Sequence, residues 1–197
     1  MQAVHNTLGI RKAVPMPYLT KLDVATRQLH QAIHLYLSEG DDVSIYTLVH
    51  AANQVLADIG AFHGIESNLR DNPTMPKDQR DWFLRNVFAS RNFFKHADRD
   101  PESTHNFEPT LIDVSMLDTL FMYRATRETW TPETLAMYCW LSIKYPSLVE
   151  EGTELFAAFK VIRARAFPAG EQPTRLLMAR VIQLLSASTT DALPLVT

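Results

Sequence analysis

Four polar residues near the middle of the chain, Arg91, Asn92, Lys95 and His96, have the types and the spacing that phosphate chemistry requires. At about 100° per residue on a helix, they share one polar sector. Arg91 and Lys95 are four residues apart, so on a helix the two cations repel each other, and a bound phosphate would remove that cost. Asn92 and His96 have the same spacing, and histidine is the side chain whose charge changes near physiological pH. The pattern is therefore a candidate site for binding a phosphate and moving a proton.

A purely structural explanation accounts for the same four residues. Lysine and histidine in the last turn of a helix complement its negative C-terminal end. The net charge of −3, with 19 Lys and Arg against 22 Asp and Glu, argues against a non-specific nucleic-acid coat protein. The segment from Lys77 to Asp100 is nevertheless locally basic, with six Lys or Arg against four Asp or Glu. That local balance suits a small phosphate site.

The elements that must position these residues are all predicted to be helices. Apolar periodicity with start and stop signals predicts helices at about 21–38, 43–61, 76–96, 111–128, 131–144, 154–166 and 173–186. Thr20 and Asp23 are spaced as a capping box. In the third helix, Phe83, Val87, Ser90 and Phe94 are predicted to share the face opposite the polar sector. The fold class is therefore all-α, an antiparallel helical bundle with additional C-terminal helices.

The chain divides into three predicted parts. Residues 1–19 form an extended N-terminal arm, because the two prolines in VPMPY favour extended backbone. Residues 20–167 form the helical-bundle domain. Residues 168–197 form a linker, a C-terminal helix and a loose tail, and the linker would let that helix pack on a partner chain.

The order Arg91, Asn92, three residues and then His96 resembles the signature of the HEPN superfamily, the higher eukaryotes and prokaryotes nucleotide-binding domains. Domains of that superfamily are all-α, and many are metal-independent ribonucleases that act as dimers with two motifs in one cleft. The resemblance implies that Arg91, Asn92 and His96 are catalytic residues of an endoribonuclease that forms a homodimer. Some toxin branches place a Tyr two residues after the His, where this chain has Asp98.

The same resemblance implies the chemistry. A ribose 2′-hydroxyl of RNA attacks the adjacent phosphate, with His96 as general acid or base. Arg91 stabilises the charge that develops on the phosphorane, and Lys95 is a second phosphate-binding residue. Asn92 orients His96 or the phosphate. No cofactor and no metal ion is expected.

Two other functions stay open on the sequence. The first is a non-catalytic, dimeric interaction or nucleotide-binding module, with RNA, a nucleotide or a regulatory protein as its partner. The second is a small metal-dependent enzyme. Its ligands would be His30 and His34, four apart on a helix, or His96, Asp98 and Asp100.

The sequence contains no signal for export or for a membrane. The N-terminus lacks the long apolar core of a signal peptide, and no apolar run approaches the roughly 18 residues of a membrane helix. Cys139 is the single cysteine, which excludes an intrachain disulfide. We therefore expect a cytoplasmic protein with no membrane partner, and we expect Cys139 to be a small buried hydrophobic residue.

Overall fold

The computed structural model describes residues 18–71, 76–96, 98, 100–148, 152–167 and 171–188. Every regular element in these ranges is helical, which confirms the predicted all-α class. The α-helices are α1 (Lys21–Leu37), α2 (Asp42–Ala61), α3 (Lys77–Lys95), α4 (Leu111–Arg127), α5 (Pro132–Lys144), α6 (Glu154–Ala166) and α7 (Met178–Ser188), with a 3-10 turn at Pro146–Leu148. Most of the predicted arm, the tail beyond 188 and the Phe83 side chain lie outside the described part of the chain.

Local hydrogen bonds explain where several helices begin. The Thr20 side chain accepts from the Asp23 amide, and the Asp23 carboxylate accepts from the Thr20 amide, which is the predicted capping box. Thr131 caps α5 in the same way, and Pro132 occupies the first helical position, where its missing N–H costs nothing. These starts depend only on neighbouring residues, so the sequence predicted them correctly.

The last helix begins at Met178, five residues later than the predicted start at Pro173. Residues 171–177 form coil and turn instead. The reason is a tertiary contact: the Arg175 guanidinium lies over the Tyr36 ring, 4.9 Å from its centroid, and its Nε is 3.7 Å from a Glu39 carboxylate oxygen. Arg175 is therefore held against α1 before α7 starts.

One hydrophobic core joins the helices. α1 packs against α2 and α5, α2 packs against α4, and α5 packs against α7. Each fully buried aliphatic or aromatic side chain stabilises the fold by roughly 1.5–3 kcal/mol. The set includes Leu29, Ile33, Tyr46, Leu56, Met116, Leu120, Tyr123, Met137 and Leu141. α7 adds Met178, Val181 and Leu185 to the same cluster, so the C-terminal helix packs on its own chain.

α3 lies at the edge of the bundle, with α2 as its main neighbour. Val87 and Ser90 are buried and Phe94 is half-buried, on the face that the sequence predicted. The Tyr46 hydroxyl of α2 donates to the backbone carbonyl of Val87, and the Tyr46 ring meets Phe94 edge to face. α3 is thereby fixed by one side, which leaves its polar side available for another role.

In the part of the chain that the structure describes, no helix is both long and apolar enough to cross a bilayer.

Candidate functional site

The chain reverses direction after α2 and returns towards α4. A Cβ at Gly60 would lie 2.8 Å from the carbonyl oxygen of Ile65, so this close approach needs a glycine. Gly64 has φ +68°, in the left-handed region that favours glycine. The turn delivers the segment Ser67–Asp71 to the side of α4.

A buried carboxylate on α4, that of Asp118, fixes the returning segment. Asp118 is 2 % exposed. It accepts hydrogen bonds from Ser67 Oγ at 2.9 Å, the Leu69 amide at 3.2 Å and Asn53 Nδ2 at 2.8 Å. Several donors are needed because a buried charge is costly without them. Asn53 in turn accepts from Arg70 Nη2 at 2.7 Å, so the same network positions Arg70.

Arg70 and Arg91, called here the arginine pair, meet between α2 and α3. Arg70 Nη1 and Arg91 Nη1 both donate to Gln54 Oε1, at 3.2 and 3.1 Å. Gln54 Nε2 donates to Asp58 at 2.7 Å, which turns the Gln54 carbonyl oxygen towards the arginines. Both guanidinium carbons also lie over the Phe88 ring, 5.0 and 4.5 Å from its centroid, within cation–π range.

In the part of the chain that the structure describes, neutral groups rather than carboxylates make the direct contacts to the arginine pair. Among the described residues, neither guanidinium forms a salt bridge. Burial and the charge of Arg91 lower the pKa of Arg70, although Asp118, Asp58 and Asp71 oppose this from further away. Arg70 Nε is buried and has no hydrogen-bond partner in the described part of the chain. The pair therefore carries positive charge that its direct neighbours in the described ranges do not neutralise.

Burial and the positive charge of the arginine pair both affect the pKa of His50, a fully buried histidine on α2. His50 Nε2 lies 3.0 Å from Ser115 Oγ, within hydrogen-bond distance. Burial, followed by the charges of Arg91, Arg70 and Lys95, lowers the pKa of His50 to about 3. His50 is therefore neutral at physiological pH, and it is a structural residue beside the arginine pair.

A groove of about 440 Å³ runs along the outer side of α3, and we call it the α3 groove. Its lining is Asp81, Leu84, Arg85, Phe88, Arg91 and Asn92. The one acidic residue in this lining, Asp81, is paired with Lys77 at 2.5 Å. Arg85 and Arg91 therefore give the groove a positive character.

The residues predicted from the sequence divide between the groove and the end of α3. Arg91 and Asn92 line the groove, whereas α3 ends at Lys95 and His96 is its C-cap, with φ −125° and ψ 61°. Because His96 has left the helix, the four-residue spacing that predicted its contact with Asn92 does not apply. The His96 side chain is 44 % exposed, with its Nδ1 3.9 Å from Asp98 Oδ1, and Lys95 is exposed.

Arg91 is more constrained than a residue of a solvated polar sector. It is half-buried and tied to α2, because Gln54 accepts its hydrogen bond. Sequence reasoning missed Gln54, Arg70 and Asp118. The sequence contains only weak indications of these residues. The polar pair Asn53–Gln54 interrupts an otherwise apolar stripe of α2. Asp118 follows the core-facing Met116 by two residues.

The residues of the alternative metal sites, and Cys139, have other surroundings in the structure. His30 Nε2 is 3.0 Å from Thr131 Oγ1 and 3.8 Å from Glu133, while His34 is exposed. No group of three or more His, Cys, Asp or Glu within the described ranges is placed to hold a metal ion. Cys139 is buried, as predicted, and burial raises the pKa of its thiol to about 12.

Comparisons of the chain with protein-family models, with curated proteins and with solved structures gave no match. The molecule itself defines an all-α domain whose edge helix carries a positively charged groove.

Proposed function

We propose that this protein binds RNA in the α3 groove and cleaves it without a metal ion, as its resemblance to HEPN domains implies. One observation carries the proposal: the half-buried Arg91 lines the groove beside Asn92 without a carboxylate partner among the described residues. A guanidinium has five N–H donors, and Arg91 uses one of them on Gln54. The others have no partner among the described residues, so they can donate to a phosphate, the group that dominates nucleic-acid binding.

An exposed tryptophan favours a single-stranded substrate. Trp82 is 61 % exposed and lies one turn before Arg85, a residue of the groove lining. Aromatic side chains beside a positive groove stack unpaired bases, and each stacked base contributes roughly 1–3 kcal/mol. In a duplex the bases stay stacked on each other, so stacking on Trp82 would contribute less binding free energy.

The proposed reaction is attack of a ribose 2′-oxygen on the adjacent phosphorus. The new P–O2′ bond forms as the P–O5′ bond breaks, which leaves a 2′,3′-cyclic phosphate and a 5′-hydroxyl end. His96 of one subunit accepts the proton of the 2′-hydroxyl, and His96 of the partner subunit donates a proton to the leaving 5′-oxygen. A two-fold homodimer supplies both histidines.

Arg91 stabilises the charge of the phosphorane in this scheme, with Lys95 as a second cation and Asn92 as an orienting group. Gln54 and Phe88 hold the Arg91 guanidinium in place before substrate arrives. A cation that is already ordered loses less side-chain entropy when it binds.

The test is an RNA-cleavage assay in EDTA that detects 2′,3′-cyclic phosphate ends. Wild type is expected to cut, whereas Arg91→Ala and His96→Ala are expected to lose cleavage and keep their fold. Lys21→Ala, which removes an exposed cation from α1, is the matched control and should cut normally. Light scattering at micromolar concentration should show a dimer. If chelation stops cleavage and one divalent ion restores it, a metal-dependent enzyme replaces this proposal.

Binding without cleavage is the second candidate, and the position of His96 favours it. Arg91 is held at the groove, but His96 lies beyond the end of α3 with Asp98 near it. On this alternative, wild type retains RNA or a nucleotide and leaves it intact. Arg91→Ala should then weaken retention, while His96→Ala should not change it.

A further inference from the structure

The two guanidiniums of the arginine pair converge on one neutral atom. Arg70 and Arg91 each place an N–H on Gln54 Oε1, at 3.2 and 3.1 Å. Two like charges at such short range repel each other strongly where water is partly excluded. The arrangement is held from outside, by Asn53 on Arg70 and by the shared Phe88 ring. Such an arrangement favours an anion, because an anion relieves the repulsion.

Unused donors remain on both side chains among the contacts of the described residues. Each Nη nitrogen carries two N–H groups, so Arg70 keeps a second N–H on Nη1 and on Nη2 beyond those donated to Gln54 and Asn53. Its Nε is buried, without a partner in the described part of the chain, and is not a donor that a ligand can reach. Within the same ranges Arg91 donates from Nη1 to Gln54 and makes no other hydrogen bond. Guanidiniums bind phosphate oxygens in pairs through parallel N–H groups. Two such forks beside each other can therefore bind several oxygens of one phosphate.

The charge of the pair matches a terminal phosphate better than an internal one. An internal phosphodiester carries a single negative charge, whereas a phosphomonoester carries about 1.5–2 at pH 7. The charges of Asp118, Asp58 and Asp71 act on Arg70, and the buried one, Asp118, already accepts hydrogen bonds from Ser67, Leu69 and Asn53. It therefore acts on the pair from a distance and does not occupy its free donors.

We infer that the arginine pair binds a terminal phosphate, a phosphomonoester dianion, on the α2 side of the α3 groove. Arg91 and Phe88 belong both to the pair's surroundings and to the groove lining, so a strand bound by its end continues past Asn92 and Arg85. Arg70 thereby becomes a phosphate-binding residue outside the Arg91–His96 motif. The identity of the attached strand as RNA rests on the proposed function, but the phosphate site does not.

The wild-type protein provides the first measurement. Short 2′-O-methyl oligonucleotides lack the nucleophilic hydroxyl and so cannot be cut by the proposed reaction. Fluorescence anisotropy at fixed salt compares one sequence with a 5′-phosphate, with a 3′-phosphate and with neither. We expect a phosphorylated strand to bind at least about tenfold more tightly, as two charge-assisted contacts allow. Equal affinity for all three strands would overturn the inference.

Three variants locate the effect. Arg70→Gln should remove the preference for a phosphorylated end, and Arg70→Lys should keep a reduced preference, because lysine retains the charge without the planar fork. Arg85→Gln, which removes a cation of the groove lining outside the arginine pair, should weaken the binding of all three strands by the same factor. A thermal melt establishes folding; if Arg70→Gln does not fold, Arg70→Lys and the wild-type series decide. A folded Arg70→Gln that keeps the full preference would contradict the site.

Adenosine 5′-monophosphate separates this inference from the proposed function. If it competes where adenosine does not, and its binding depends on Arg70, the terminal-phosphate site stands even when no RNA is bound or cut. If RNA is bound or cut without any advantage for a phosphorylated end, the proposed function stands and the terminal-phosphate site falls.

Discussion

Arg91 and Lys144 are both cations beside aromatic rings, yet among the described residues only Lys144 is paired with a carboxylate. Lys144 Nζ lies 2.5 Å from the carboxylate of Asp113, which is itself 4 % exposed. The hydroxyls of Tyr36 and Tyr145 donate to that same carboxylate. Burial opposes the charge of Lys144, but the hydrogen bond to Asp113 raises its pKa overall. The corresponding contact of Arg91 is to the neutral oxygen of Gln54.

The difference separates a cluster whose charges are paired within the fold from the site at which we propose that a ligand binds. A cavity of about 320 Å³ adjoins Asp113, and Lys144 and Arg175 are in its lining. Both of these cations already face a carboxylate, Asp113 for the first and Glu39 for the second. A cavity of this size beside charged residues is therefore not, by itself, an indication of a ligand-binding site. What distinguishes the arginine pair, of which Arg91 lines the α3 groove, is that its direct contacts among the described residues are neutral.

The largest effect is expected where the charges are paired. Asp113→Ala leaves Lys144 and two tyrosine hydroxyls without their acceptor, so the free energy of unfolding should fall by roughly 2–4 kcal/mol. This lies below the loss for a fully buried ion pair, because the Lys144 side chain is 40 % exposed and can turn to water. Urea unfolding measures the change. Asp113→Asn is the control, since it keeps the shape and part of the hydrogen bonding.

The dependence of the free energy of unfolding on pH tests, through His50, whether the charge of the arginine pair acts on its surroundings. Its pKa is lowered to about 3 in the folded protein, by burial first and by Arg91 next. The folded state therefore binds fewer protons than the unfolded state between about pH 6.5 and 3, and stability falls as pH falls through that window. Each pH unit costs up to about 1.4 kcal/mol, so the loss from pH 6.5 to 5 should be about 2 kcal/mol.

The matched control for this series is His50→Gln, which lacks the titrating group. His30, whose pKa burial also lowers, adds a slope of the same sign in both proteins. The difference between the two unfolding curves therefore isolates His50. Identical slopes would show that His50 is not held neutral. Arg91→Ala should lessen the slope slightly, because it removes one of the charges acting on His50.

The smallest effect on stability is expected at the unpaired cation. Arg91→Ala should change the free energy of unfolding by no more than about 1 kcal/mol, the usual net contribution of one hydrogen bond. Loss of the Gln54 hydrogen bond and the Phe88 contact is offset by relief of repulsion with Arg70. Thermal melts measure this change. A loss as large as that of Asp113→Ala would mean that the arginine pair is part of the structural framework.

Sequence and structure agree most closely where a feature depends on neighbouring residues. Thr20 and Thr131 fixed the starts of α1 and α5 because capping is local. The predicted start of α7 was wrong because Arg175 packs on the ring of Tyr36, a residue far away in the chain. α3 was predicted to end at about 96 and ends at Lys95, and this difference of one residue takes His96 off the helix.

In the candidate site, too, the sequence predicted the features that depend on neighbouring residues and missed those that depend on distant ones. Helical periodicity placed Arg91 and Asn92 on one side of α3, and both line the groove. Arg70 reaches Arg91 only because the turn at Gly60 and Gly64 and the anchor at Asp118 bring its segment back. No local pattern contains that information. The catalytic role of His96 stays a prediction, which the cleavage assay tests.

The packing of α7 on α5 also sets an order on folding during synthesis. α1 and α2 are joined by a short turn, so their contacts can form while the remaining chain is still being made. The side of α5 that faces α7 stays uncovered until Met178, Val181 and Leu185 have been added. A chain truncated before α7 therefore exposes the apolar side of α5 that α7 covers, and we expect it to aggregate more readily than the full chain.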